Sequence, residues 1–275
     1  MNGKARLSAD QLEALRRIDS PTIANAIETF GVRPHSTGFV GLDVQPLTPE
    51  LGVMVGYAVT ATLDSQTDGA PFDPQVWWDV LKAIEASPKP VVLVCQDVGP
   101  RPSHACHFGD GMATIAHRLG AIGLVTNGGV RDLAGVRALG FRFFAAGVVV
   151  SHGNFRLVSS GQPVEVSGVR VEPGDLIHGD ENGVVLIPAE VADRVAEAAH
   201  AVWAEEAELI GYYRSEAFSL AEVGRRMGVE PPSPPAPLPS EGEGSIPQPD
   251  HAENEATASV GTVPPLPVRG RGGRG

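Results

Sequence analysis

Two carboxylates and one guanidinium have the spacing most open to chemistry in this chain. Asp110 opens the segment DGMATIAHRLG, twenty residues then separate it from Arg131, and Asp132 follows at once in GLVTNGGVRD. An arginine fork can clamp a carboxylate or stabilise a developing enolate oxygen. A neighbouring aspartate can bind Mg²⁺ or Mn²⁺, hard cations that take oxygen ligands and keep several waters. The competing reading of Arg131-Asp132 is a turn that caps a helix from 133. Asp110 alone reads as the N-cap of a helix over 111–119. That place is compatible with orienting a metal's water, and the amides beside it can hold a substrate carboxylate.

Other residue sets carry less chemistry. His104, Cys106 and His107 form an H-x-C-H spacing that matches no zinc pattern, and no second CxxC or HxxxH accompanies it. His117 falls inside a helix and His152 after a strand. Gly128-Gly129 is not a dinucleotide fingerprint, and no G-x-S-x-G elbow occurs. Asp175 and Asp180 sit in PGD and DENG turns and read as turn closers. Glu205, Glu206 and Glu208 read as solvated, with the alternative that their helix lends one of them to a neighbouring subunit's site.

The elements that must position these residues follow from periodicity and caps. A helix is predicted over 8–18, with Ser8 and Gln11 as a capping box and Leu12, Leu15 and Ile18 on one face. A second runs over 21–30, with Ser20 as N-cap, Pro21 at the first position and Gly31 as the stop. Residues 52–62 read as a strand bent at Gly56, 75–86 as a helix, and 91–95 as a strand buried on both faces. A helix over 111–119 stops at Gly120, a strand covers 123–127, and Gly128-Gly129 makes a sharp turn. A short helix at 133–140 ends at Gly140, and 141–150 holds another strand. Short β segments fill 164–188, and helices cover 189–213 and about 219–227, the last ending at Gly228. Strands alternating with helices through 90–150 predict parallel βαβ units. Arg131 and Asp132 then fall at the carboxyl end of a strand, where open α/β sheets bind ligands.

Composition narrows the function classes. The 275 residues are 42% hydrophobic but only 5% aromatic, so the core rests on Val, Leu, Ile and Ala. A formal net charge of -12 argues against a nucleic-acid binder, though not against acidic small molecules. Two cysteines, Cys95 and Cys106, are too few for a disulfide framework and suit a reducing compartment. The first residues lack the apolar run of a signal peptide. No stretch approaches the roughly 20 apolar residues of a membrane span. A soluble cytoplasmic protein is expected. After Glu230 the composition turns Pro- and Gly-rich with no aromatic residue, so residues 231–275 are expected to be a disordered tail.

Several segments together resemble the RraA-like family, the proteins similar to regulator of ribonuclease activity A. They are GYAVTA at 56–61, GD at 109–110, A-x-x-A-x-x-x-G from Ala113 to Gly120, GLVTNGGVRD, FFAAG at 143–147 and VEPGDLIHGDENGVVLIP at 171–188. The Asp, twenty residues, Arg-Asp spacing is similar to the motif of that family's class II 4-hydroxy-4-methyl-2-oxoglutarate aldolase and oxaloacetate decarboxylase branch. The resemblance covers about 20–215. It implies an α/β fold, the β/β/α swivelling domain, a sandwich with N- and C-terminal helices, with one RraA-like domain over 1–230. It also implies a homotrimer or homohexamer with sites between subunits. By position, Asp132 would ligate Mg²⁺ (or Mn²⁺) and Asp110 would hold the metal's water. Arg131 would bind the carboxylate or keto oxygen of a 2-oxo acid. Gly109, Asp110 and the amides of Gly111 and Met112 would complete the substrate pocket. The implied reaction is retro-aldol cleavage of a 4-hydroxy-2-oxo acid to pyruvate, with oxaloacetate decarboxylation through the same enolate. The 64–78 loop, with Asp64, Asp68, Asp73 and two tryptophans, departs from the family's pattern and could admit a different substrate. The branch that names the family supplies the alternative, a non-enzymatic, protein-binding regulator of ribonuclease activity.

Overall fold

The computed structural model describes residues 6–65 and 71–229, and the expected tail at 231–275 lies outside them. The described chain divides into two compact units, one ending at Glu206 and the other beginning at Ala207. In the first, helices α1 (Ala9–Arg16) and α2 (Ser20–Glu28) precede a short strand β1 (Gln45–Pro46) and the long strand β2 (Met54–Asp64). Helix α3 (Pro74–Ala86) and strand β3 (Val91–Asp97) follow. Next come β4 (Cys106–Phe108), α4 (Asp110–Arg118), β5 (Ala121–Thr126), β6 (Gly129–Val130) and α5 (Leu133–Leu139). Then come β7 (Arg142–Ala145), β8 (Gly147–Val148), β9 (Arg156–Ser160), β10 (Val164–Val166), β11 (Val169–Val171), β12 (Leu176–Asp180) and β13 (Gly183–Ile187). Helix α6 (Val195–Arg214) crosses from the first unit into the second, which also holds α7 (Leu220–Met227).

The main sheet has the order β1-β7-β5-β3-β2-β12-β13. Its centre, β2, β3, β5 and β7, is parallel, as the alternation of strands and helices predicts. Strand β2 divides its outer edge between two antiparallel partners, β12 over 54–57 and β9 over 61–64. A separate three-stranded parallel sheet, β4-β6-β8, has no counterpart in the sequence reading. This α/β architecture with flanking N- and C-terminal helices is the expected fold class.

Side-chain alternation sorts the core. Val91, Leu93 and Cys95 of β3 pack with Val80 and Ile84 of α3, Ala113 and Ala116 of α4, and Val136 of α5. Val92 and Val94 point the other way, against the β10-β11 hairpin through Val164, Val166, Val169 and Val171. The amino-terminal half of β2 buries Val55 and Tyr57 beneath α1, α2 and Val195 and Ala199 of α6. In the second unit, Arg226 stacks its guanidinium 4.4 Å over the Tyr212 ring, and Phe218 packs on Tyr212 and Tyr213.

Several boundaries move for physical reasons. The Ser8–Gln11 capping box is present on both sides. On α2, however, the N-cap is Asp19, whose Oδ1 accepts from the Thr22 amide at 2.9 Å. Ser20 is freed from capping and instead joins a buried junction. Its amide donates to Asp180 Oδ2 at 2.7 Å, and its hydroxyl lies 2.9 Å from His178 Nδ1. Strand β2 runs through Gly56 without a break. Glycine is needed there because a Cβ would meet the Pro90 carbonyl oxygen at 2.8 Å. The last long helix begins at Val195, not 189, because i→i−3 bonds from Val191 to Pro188 and from Arg194 to Val191 tighten the chain first. Asp180 does close its turn, accepting from the Asn182 amide at 2.7 Å through Oδ1, and Asp175 accepts from Glu172 at 2.8 Å.

Replacing Asp180 by Ala strands the buried Ser20 amide without its acceptor. The expected loss of unfolding free energy is about 2–3 kcal/mol. Urea unfolding reads it, and a midpoint equal to the parent's would show that the junction ties nothing.

Candidate active site

The site is built where three parallel strands leave the main sheet together. After β3, β5 and β7 the chain re-pairs as β4, β6 and β8. Asp97 and Asn127 pin two of these exits. The Asp97 amide donates to Asn127 Oδ1 at 2.7 Å, and Asn127 Nδ2 donates to the Asp97 carbonyl at 3.0 Å. The chain bends sharply at 127–128, and Gly129 already belongs to β6. Positions 128 and 129 are glycines because the next layer touches them: a Cβ at 128 would collide with the His107 ring, and one at 129 would meet the Ala105 oxygen at 2.7 Å. The small sheet extends into its loops through Arg131 N to Phe108 O at 3.1 Å, Val149 N to Val130 O at 2.9 Å and Cys106 N to Ser151 O at 2.9 Å.

The residues just past these short strands meet in a cleft of about 620 Å³. Asp110, Gly111 and Met112 start α4 on one side, and Arg131 and Asp132 end β6 beside them. Gly109 is the N-cap of α4 and makes no side-chain cap, so Asp110 is the first helical residue and not the cap expected from sequence. Its carboxylate lies against Gly135 of α5, where a Cβ would stand 3.0 Å from Oδ2. Phe72, His152, Gly153, Asn154 and Phe155 also line the cleft.

Asp132 occupies the N-cap position of α5, yet its side chain makes no cap bond to that helix. Its backbone sits in the left-handed region at φ 60, where residues other than glycine pay a steric cost of about 1 kcal/mol or more. That twist turns the carboxylate towards α4. Asp132 Oδ2 lies 3.3 Å from Arg131 Nε and accepts a long bond, 3.4 Å, from the Asp110 amide. Gly109 makes room for it, since a Cβ there would collide with Oδ2. The carboxylate thus lies at the positive end of a helix and beside a guanidinium, with coordination capacity left. No group of three or more His, Cys, Asp or Glu side chains able to hold a metal occurs among the described residues. Beside Arg131 the donors are the carboxylate oxygens of Asp110 and Asp132, which suit a hard cation that keeps most of its waters.

A buried polar layer, whose members no local pattern links, adjoins the cleft. His107 Nε2 lies 3.1 Å from Thr126 Oγ1, which also accepts from the Gly128 amide at 3.1 Å. Burial pushes the His107 imidazole down to about 3, so the ring is neutral. Asp97 Oδ1 accepts from the Gly99 amide at 2.8 Å. Cys106 is buried, which pushes its thiol up, and its Sγ lies 3.3 Å from the Phe108 oxygen. His104 stands apart from this pair, near Arg101. His117 lies near the Ala121 carbonyl, 3.2 Å away. Glu206 accepts from Asn25 at 3.3 Å. Gly135, Phe72 and Phe155 escaped the sequence reading. A glycine inside α5, where a helix former would be expected, was the available signal for the first.

Known proteins resemble this chain at several levels. The RraA-like family model, described as Aldolase/RraA, matches residues 20–186. Protein DlpA of Legionella pneumophila is 27% identical over 64% of this chain and 27% of its own length. A Halalkalibacterium halodurans protein named "Putative 4-hydroxy-4-methyl-2-oxoglutarate aldolase" is 34% identical over 44% of this chain and 57% of its own. The chain therefore spans only about a quarter and about half of the lengths of these two relatives. Among solved structures, Streptomyces coelicolor RraAS2, described as an unusual member of the RNase ES inhibitor RraA protein family, superposes with a TM-score of 0.60. It has 26% identity over 74% of this chain and 99% of its own. A Pseudomonas syringae protein superposes at 0.63 with 22% identity over 82% of this chain and 97% of its own, a likeness of fold.

Two measurements follow from the geometry. Gly109→Ala pushes a methyl group against Asp132 Oδ2 and should weaken Mn²⁺ binding at least tenfold with the helical content unchanged. Unaltered Mn²⁺ titration would remove Asp132 from the metal assignment. His107 is neutral when folded but protonates near 6.5 when unfolded, so the unfolded chain binds the extra proton between pH 6.5 and about 3. Its contribution to stability is complete above pH 6.5 and is lost as pH falls. Urea unfolding at pH 5 should show roughly 2 kcal/mol less stability than at pH 7 from this group. His107→Asn should lose less between the two pH values than the parent.

Proposed function

The chain belongs to the RraA-like family, Aldolase/RraA, and on that premise we propose that it is a divalent-metal-dependent carbon–carbon lyase. Its substrate is a 4-hydroxy-2-oxo acid of the 4-hydroxy-4-methyl-2-oxoglutarate type, which it cleaves to pyruvate. The observation that carries this reading is Asp132: a strained, uncapping carboxylate held between Arg131 and the first amide of α4. The left-handed backbone sets this carboxylate beside α4 instead of over the first turn of α5, and such strained positions cluster at ligand sites.

The chain's own residues divide the work. Arg131 pairs with the carboxylate or keto oxygen of the 2-oxo acid and stabilises the enolate as it forms. The amides of Gly111 and Met112, in the first turn of α4, donate to the substrate carboxylate where the helix dipole favours an anion. Gly109 leaves the space for Asp132 to hold a divalent cation. Bound there, Mg²⁺ or Mn²⁺ supplies positive charge that lowers the energy of the developing enolate. Asp110 orients a water that takes the proton of the C4 hydroxyl. The C3–C4 bond breaks, its electron pair enters the enolate, C4 becomes a carbonyl, and protonation at C3 gives pyruvate. Oxaloacetate decarboxylation reaches the same enolate with loss of CO₂. The proposal includes a homotrimeric or homohexameric assembly, with residues 1–230 as the folded domain. Among the described residues no helix is long and apolar enough to cross a membrane.

A second reading, a protein-binding regulator of a ribonuclease, draws on the likeness to RraAS2. It makes no use of Asp132. With Mg²⁺, pyruvate should be released from 4-hydroxy-4-methyl-2-oxoglutarate or oxaloacetate, and excess chelator should stop it. Asp132→Ala should lower kcat/KM at least a hundredfold with the melting temperature nearly unchanged. Metal-independent turnover, or full turnover in that variant, would sink the site assignment. Tight ribonuclease binding without pyruvate release would favour the regulator.

A further inference from the structure

His152 lines the cleft from the connection between β8 and β9. That connection is tied to the small sheet at each step. The Val149 amide donates to the Val130 carbonyl at 2.9 Å, and the Cys106 amide donates to the Ser151 carbonyl at 2.9 Å. The Gly153 amide donates to Ser151 Oγ at 3.1 Å. Gly153 sits in the left-handed region at φ 53, and a Cβ there would stand 3.0 Å from that of Ala105. Strand β4 therefore carries the loop of His152 at its head, with Gly109 and Asp110 just past its end.

The ring's own hydrogen bond sets its chemistry. His152 Nδ1 lies 2.7 Å from the Gly153 carbonyl oxygen. A carbonyl only accepts, so Nδ1 carries the hydrogen and the neutral ring holds its lone pair on Nε2. Nε2 can then take up a proton and give it back while Nδ1 keeps the ring in place. The other ionisable side chains lining the cleft, among the described residues, are unsuited or already committed. Cys106 is buried, which pushes its thiol up and keeps it from the thiolate. Burial holds His107 down at about 3, and its Nε2 lies 3.1 Å from Thr126 Oγ1, so it is a poor base. Arg131 keeps its proton. The lyase reading commits Asp132 to the cation and Asp110 to a water. His152, by contrast, is exposed.

Within the lyase reading, on which this inference rests, we infer that His152 Nε2 is the acid–base group of the cleavage. The water that Asp110 orients takes the C4 hydroxyl proton and passes one of its own to Nε2. The O–H electron pair becomes the second bond of the C4 carbonyl, and the C3–C4 pair enters the enolate. The Nε2–H of the imidazolium then gives its proton to C3. This yields pyruvate and returns the ring to its neutral form, with no net proton gained or lost. Oxaloacetate uses none of the first half, because it has no hydroxyl proton to remove, and its enolate can take a proton from solvent.

The test uses the full chain with Mg²⁺ and follows pyruvate from 4-hydroxy-4-methyl-2-oxoglutarate and from oxaloacetate. His152→Gln, which stays polar but cannot carry the proton, should lower kcat on the hydroxy acid at least about a hundredfold. Its kcat on oxaloacetate should fall by less than about threefold. Imidazole added to His152→Ala should raise turnover of the hydroxy acid about tenfold and leave that of oxaloacetate unchanged. Equal losses on both substrates, or a raised KM with kcat kept, overturn the acid–base role in favour of a binding contact. Full turnover of the hydroxy acid by His152→Gln, or no recovery with imidazole, overturns it as well. Pyruvate from neither substrate with the parent chain overturns the lyase reading, and this inference falls with it.

Discussion

Everything at the cleft depends on how three parallel strands end. A strand that leaves a sheet exposes amide and carbonyl groups that must be satisfied elsewhere. Here β3, β5 and β7 leave at one level, and their continuations satisfy one another as the sheet β4-β6-β8. The reciprocal Asp97–Asn127 bonds hold two exits in register. Close approach across Gly128 and Gly129 sets the distance between layers. Asp110 and the Arg131-Asp132 pair, twenty residues apart, thereby become neighbours. The separation of their side chains is fixed by backbone pairing and not by the flexibility of a loop.

Much of this frame was legible in the chain, and the illegible part has a physical reason. Capping chemistry is local, so the Ser8–Gln11 box and the glycine stops at Gly140 and Gly228 could be read directly. The Val-rich run of β3 announced a strand covered on both faces. Strands of two or three residues show no periodicity, so the second sheet was invisible, and Gly128-Gly129 looked like a turn. Asp19 displaced Ser20 as the cap because Ser20 had a distant task at Asp180 and His178, 160 and 158 residues away. The spacing singled out Asp110, Arg131 and Asp132, which the fold brings to one cleft, but nothing local singled out the aromatic pair beside them. Phe72 and Phe155 come together only through tertiary packing, and no local pattern links them.

Family membership and activity are separate matters in this chain. The family gathers proteins named as aldolases and proteins named as ribonuclease inhibitors, and the likenesses here reach both. The fold is compatible with either. The proposal separates them at a few atoms by the mouth of the small sheet, above all the Asp132 carboxylate, which a left-handed backbone sets beside Arg131 and the Asp110 amide.

The divided edge of β2 has a consequence for how the protein is made and how it can vary. Residues 54–57 pair with β12 and residues 61–64 with β9, so both ends of one strand wait for partners about a hundred residues later. Loop closure of that length is an entropic barrier that precedes any reward, which places folding among slow, non-local topologies. The same arithmetic gives latitude to the cleft. The segment between β3 and β9 carries most of the cleft's lining, Pro71 and Phe72 coming from ahead of α3, and its ends are already anchored on β2. Because closure entropy grows only with the logarithm of length, loops there can gain or lose residues at little thermodynamic expense. A lineage can therefore remodel the pocket wall repeatedly while inheriting the same frame.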